Sequence, residues 1–127
     1  MDNLYKRLRD VHEAGVYRLN CTVDDLRGAV QEAGFALFEV DLAEAHNKGA
    51  LLAALAETMG APEWFGNNWD ALADALGDLS WHPAPGYVLL LRDTSLAGAE
   101  EETLNNILLE ASAYWEMQGK AFWAFFA

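Results

Sequence analysis

The sequence predicts a single α/β domain in which helices pack on a small parallel sheet of three to four strands. Three apolar segments with strand character, separated by amphipathic helical segments, carry this prediction. Strands joined through helices pair in parallel by right-handed crossovers, and strands without polar alternation indicate a sheet with little exposed area. A chain of 127 residues, 53% of them hydrophobic, can bury one core without a disulfide or a metal.

The first half of the chain is predicted to hold three helices and two strands. Leu4, Leu8 and Val11 share one stripe, which predicts a helix over 3–14 that stops at Gly15. The other predicted elements of this half are a short strand over 16–19, a helix over 24–33, a strand over 35–42 and a helix over 47–59. Gly34 and Gly60 are placed to end the last two helices.

A short helix at the centre of the chain carries the residues that bear most directly on function. Asn67 or Asn68 can cap its start, because an Asn side chain accepts a bond from a free amide of the first turn. A period of 3.6 residues places four apolar residues on one face: Trp69, Leu72, Leu76 and Leu79. It places three carboxylates on the opposite face: Asp70, Asp74 and Asp78. A strand over 87–91, a helix over 99–117 and a closing strand over 121–126 complete the domain.

The net charge of -12 disfavours two classes of partner. Nucleic acids and anionic membranes both require basic residues, and the chain has only eight Lys and Arg residues. A basic protein would instead be attracted. The single cysteine, Cys21, cannot pair within the chain, and the charged start at 1–7 is unlike a signal peptide. These features predict a cytoplasmic protein.

The row of aspartates on the central helix is slightly unfavourable for the free protein. Like charges at i and i+4 destabilise a helix by roughly 0.2–0.5 kcal/mol per pair, and Asp is a poor helix former. Residues that break local rules concentrate at functional sites, although charge alone is more typical of a solvated surface.

Catalytic and metal-binding patterns are weak in this sequence. His12, His46 and His82 are scattered without metal-ligand spacing, and no phosphate-binding loop or dinucleotide fingerprint occurs. Asp70 and Asp74 could pair in a hydrolase, but adjacent turns of one helix do not form a facing cleft. The sequence therefore predicts a protein that is not an enzyme and that uses no cofactor or metal.

The central segment, EWFGNNWDALADAL over 63–76, resembles the signature of the barstar family, small intracellular inhibitors of barnase-type ribonucleases. The order of predicted elements from Phe35 onward is also similar to that family. The resemblance divides the domain, 1–127, into a core inhibitor fold over 35–127 and an N-terminal extension over 1–34, as in a longer barstar-like subgroup.

The resemblance implies that the loop and central helix plug a ribonuclease active site, with carboxylates standing in for RNA phosphates. Asp74 would be the principal anchor and Asp70 its neighbour, while Trp64 would pack over the catalytic histidine. Glu110 matches a contributing glutamate on the long helix. The predicted partner-binding residues are Trp64, Phe65, Gly66, Asn68, Asp70, Ala73, Asp74 and Glu110.

The sequence departs from the family pattern at several positions. Ala73 stands where the type member has a tryptophan, and Trp64-Phe65 replaces a pair of tyrosines. These departures leave the identity of the ribonuclease open. An alternative is an acidic interaction module that binds a basic protein other than a nuclease. In the inhibitory complex the chain is expected to act as a monomer. Whether residues 1–34 drive self-association is left open.

Overall fold

A four-stranded parallel sheet forms the centre of the computed structural model, which describes residues 2–61 and 68–127. Its strands, in chain order, are β1 (Val16–Arg18), β2 (Ala36–Asp41), β3 (Gly86–Arg92) and β4 (Ala121–Phe126). Their order across the sheet is β1-β4-β3-β2, and all neighbours pair in parallel. The predicted parallel α/β sheet is confirmed, and the segment predicted over 16–19 supplies its fourth strand.

Five helices surround the sheet in the described part of the chain. They are α1 (Asp2–Arg9), α2 (Val23–Ala33), α3 (Lys48–Met59), α4 (Trp69–Leu76) and α5 (Gly98–Met117). Gly34 and Gly60 end α2 and α3 with φ angles of 75° and 64°, which a residue with a Cβ rarely adopts. Both predicted helix ends are therefore confirmed.

The prediction for the first helix is wrong at its C-terminal end, because α1 stops at Arg9 rather than continuing to 14. The Asp10 side chain accepts a hydrogen bond from the amide of His12 at 2.9 Å, and the Asp10 carbonyl accepts one from the amide of Glu13 at 3.1 Å. Asp competes with the helix by bonding to nearby backbone, which explains the early turn.

The two faces of the sheet carry separate cores. Along β3, Tyr87, Leu89 and Leu91 pack with α3, α4 and α5, whereas Val88 and Leu90 pack with α1 and α2. All five side chains are at most 1% exposed, so β3 is buried on both faces, as its continuous apolar sequence predicted.

The N-terminal elements share this buried structure with the rest of the chain. Leu8 and Leu26 are fully buried against the second face of the sheet. The indole of Trp123 donates to the carbonyl of Leu8 at 2.9 Å, and the amide of Leu19 donates to the carbonyl of Phe126 at 2.8 Å. The division of the chain at residue 35 remains a prediction. None of the described helices is long and apolar enough to cross a membrane.

Candidate protein-binding site

The start of α4 is fixed by the side chain of Asn68. Its Oδ1 accepts a hydrogen bond from the amide of Ala71 at 2.8 Å, while the Asn68 backbone is extended, with φ -142°. This contact satisfies one of the amides that a helix leaves free at its first turn. Of the two predicted caps, Asn68 holds this position, and Asn67 lies outside the described residues.

One face of α4 is anchored in the first core. Leu72 is fully buried, Leu76 is 1% exposed and Leu79, three residues beyond Leu76, is also 1% exposed. Trp69 is half-buried and packs against the same cluster. The predicted apolar face is confirmed, and its burial determines which side of α4 meets solvent.

The solvent-facing side of α4 presents carboxylates. Asp70 and Asp74 lie one turn apart and both are exposed, while Ala73 between them is half-buried. Within the described part of the chain, neither carboxylate takes part in an ion pair. Asp78 lies beyond the end of the helix, where its Oδ2 accepts from the hydroxyl of Ser80 at 3.1 Å.

The charges along the chain are strongly segregated. Between Lys48 and Lys120 the sequence has eleven acidic residues and one basic residue, Arg92. Arg92 already donates to Glu39 at 3.3 Å, and Glu39 also accepts two bonds from Arg27. The pKa of Glu39 is lowered, mainly because its carboxylate accepts hydrogen bonds from Arg27. Arg92 is therefore engaged by Glu39 rather than by the carboxylates of α4.

The long helix α5 supports α4 from the side. The indole of Trp115 is 7% exposed and donates to the carbonyl of Leu76, in the last turn of α4, at 2.7 Å. Glu110 lies on the exposed surface of α5. The structure thus places Asp70, Asp74 and Glu110 at the surfaces of two helices that pack together.

Three of the predicted residues, Trp64, Phe65 and Gly66, lie outside the described residues. Sequence reasoning placed Trp115 only on an apolar stripe and missed its bond to α4, because that contact joins residues 39 positions apart. It also missed Tyr114, an exposed aromatic one turn after Glu110. The 3.6-residue period from Glu110 was a signal that could have identified Tyr114.

Other kinds of site receive little support. Among the described residues, no group of three or more His, Cys, Asp or Glu side chains is close enough to hold a metal ion. A cavity of about 410 Å³ lies between β1 and the first half of α5, lined by Arg18, Leu104 and Leu109 among others. None of the described residues predicted to bind a partner lines that cavity.

An acidic helix held on a parallel α/β sheet, beside a long second helix, defines the chain as a small single-domain α/β protein. The model of one family, Barstar (barnase inhibitor), matches residues 35–127. Because this match spans nearly three-quarters of the 127 residues, the chain belongs to the Barstar family. The matched segment contains β2 to β4 and α3 to α5. No curated protein matches the chain.

Proposed function

We propose that this protein inhibits a basic, barnase-type ribonuclease by covering its active site with α4 and the loop before it. The observation that carries the proposal is the pair of exposed carboxylates, Asp70 and Asp74, on a helix whose other face is fully anchored. Ribonuclease active sites hold cationic side chains that bind phosphates, and fixed carboxylates offer those cations the same charge.

The proposed roles of the residues are those that the resemblance to the Barstar family implies. Asp74 is the principal anchor and Asp70 its neighbour, with Glu110 contributing from α5. Trp64, Phe65 and Gly66 remain predicted contacts from the segment that precedes α4. Ala73 and Asn68 are the remaining predicted contacts, and Asn68 also caps α4. In this proposal the protein is a monomeric, cytoplasmic inhibitor without catalytic activity.

The direct test removes one charge at a time and measures binding to barnase. Asp74→Asn keeps the size of the side chain and removes its charge. If Asp74 pairs with a cation, a hydrogen bond to a charged group worth about 1.5–3 kcal/mol is lost, and Kd should rise about 10- to 150-fold. The measurement is inhibition of RNA cleavage, together with calorimetric titration of the two proteins.

Glu32→Gln is the matched control. Glu32 is an exposed residue of α2, which packs on the opposite face of the sheet, and its substitution changes the net charge by the same amount. We expect its Kd to stay within about twofold of the wild type, since a distant surface charge is largely screened at 0.15 M salt. Equal effects of the two substitutions, or no inhibition by the wild type, would refute the proposal.

A second candidate function is supported by the N-terminal elements. α1, β1 and α2 lie outside the segment that the family model matches, and they add surface to the domain. An acidic module that binds another basic protein would use the same α4 carboxylates. Recovery of a non-nuclease partner that is lost on Asp74→Asn, together with absence of ribonuclease inhibition, would favour this function.

A further inference from the structure

The solvent-facing side of α5 carries exposed hydrophobic side chains between glutamates at both ends of the helix. From 103 to 115 the only charged residue is Glu110. Three large hydrophobic side chains are exposed on this helix: Leu109 at 50%, Tyr114 at 43% and Met117 at 85%.

The two flanks of α5 face different neighbours. Asn105 and Leu109 line the cavity beside β1, and Glu116 pairs with His12 at 3.2 Å. At 3.6 residues per turn, Tyr114 lies about 140° around the helix from Leu109. It is therefore on the opposite flank, away from the cavity beside β1. Tyr114 and Glu110, one turn apart, thus share the side of α5 that lies away from β1.

The ring of Tyr114 is held before any partner arrives. It meets the Trp115 ring edge to face, with centroids 5.2 Å apart and an interplanar angle of 82°. Trp115 is itself fixed by its bond to Leu76 and by packing against Tyr87 at 5.2 Å. A tyrosine needs little further ordering to make a contact, which makes it an efficient binding residue.

We propose that Tyr114 is a specificity-determining contact for the basic partner, whose arginine stacks on the Tyr114 ring while hydrogen-bonding to Glu110. Side chains at i and i+4 on a helix have Cβ atoms about 5–6 Å apart, within reach of one planar guanidinium. Arginine both stacks on aromatic rings and binds carboxylates through paired N–H groups.

The charge of the surface identifies the kind of occupant. A second copy of the chain in a two-fold contact would bring Glu110 and the α4 carboxylates against the same surface, with the same sign of charge. A basic protein meets the opposite sign across both helices. The inference rests on the proposed inhibitory function and adds a second contact region to it.

The test compares two exposed side chains on opposite flanks of the same helix. Binding to immobilised, catalytically inactivated barnase is measured for Tyr114→Ala and for the control Leu109→Ala. We expect Tyr114→Ala to raise Kd at least about fivefold, mainly through faster dissociation, and Leu109→Ala to change it less than about twofold. Tyr114→Phe should retain most of the affinity, because the stacking ring remains. Circular dichroism melts confirm that each variant is folded.

A double-mutant cycle on Tyr114 and Glu110 provides the sharper measurement. If one arginine contacts both side chains, the effects of Tyr114→Ala and Glu110→Gln are not additive, and the double variant loses less affinity than the product of the two single losses. Suppose that Asp74→Asn weakens binding but Tyr114→Ala and Leu109→Ala dissociate at equal rates. That result would overturn this inference and leave the proposed function standing. Absence of barnase binding by the wild type would overturn both this inference and the proposed function.

Discussion

Replacement of Trp115 by phenylalanine tests how α4 is held in place. Trp115→Phe removes the N–H group that donates to the carbonyl of Leu76 at 2.7 Å, leaving that carbonyl without its buried donor. An unsatisfied buried polar group costs about 1–3 kcal/mol. The smaller ring also leaves a cavity beside Tyr87, which adds about 1 kcal/mol. We therefore expect the free energy of unfolding to fall by about 2–4 kcal/mol.

The sequence contains a matched control on the other face of the sheet. Trp123 is 2% exposed, and its indole donates to the carbonyl of Leu8 at 2.9 Å. Trp123→Phe should therefore cost a similar free energy, but it should release α1 rather than α4. For a domain of this size each 1 kcal/mol lowers Tm by about 4 °C, so both variants should melt about 8–16 °C below the wild type.

Amide hydrogen exchange distinguishes the two variants. Trp115→Phe should accelerate amide exchange in the last turn of α4, at Ala75, Leu76 and Gly77. The amides of α1 should then exchange only as fast as the global loss of stability predicts. Trp123→Phe should show the reverse pattern, because local opening depends on local contacts. A loss below about 1 kcal/mol for Trp115→Phe, or equal exchange in α4 for both variants, would contradict the assigned role of the Leu76 bond.

Two further predictions concern the helix cap and the charge network. Asn68→Ala removes the bond to the Ala71 amide and should destabilise the protein by about 1 kcal/mol, measured by urea unfolding; Asn68→Asp, which restores an acceptor, should recover most of the loss. Because the pKa of Glu39 is lowered in the folded protein, its ionised carboxylate stabilises the fold at pH values above 4.5, the ordinary pKa of the group. This contribution is lost as the pH falls through the pKa of Glu39 in the folded protein. The stability difference between wild type and Glu39→Gln should thus be largest near neutral pH and shrink below pH 4.5; a difference independent of pH would refute this assignment.

Much of the fold was predictable because local signals agreed with burial. The three apolar strands were placed to within one residue. β3 and β4 are buried on both faces and need no polar alternation, whereas β2 alternates between buried and partly exposed residues. The ends of α2 and α3 were predictable because Gly34 and Gly60 adopt positive φ angles. The end of α1 was not, because the side chain of Asp10 competes with the helix through a turn whose stability depends on its surroundings.

The candidate site was predictable only in part. The period of α4 separates Leu72 from Asp70 and Asp74, and the described structure has the same separation. The sequence could not show that α5 supports α4, because the Trp115 bond is a long-range contact. Tyr114 was missed because a search for the buried stripe of a helix passes over its exposed aromatics, although the 3.6-residue period places it one turn after Glu110.

The stability of α4 comes from its surroundings, and this explains how it can carry a row of like charges. An isolated helix of eight residues is not stable in water, and the two aspartates one turn apart make it slightly worse. Burial of Leu72, Leu76 and Leu79 contributes about 1.5–3 kcal/mol for each side chain, several times the repulsion of about 0.2–0.5 kcal/mol. The core therefore holds the carboxylates at fixed positions before a partner binds. Fixed charges need little reordering on association, which is the property that the proposed inhibitor requires of this helix.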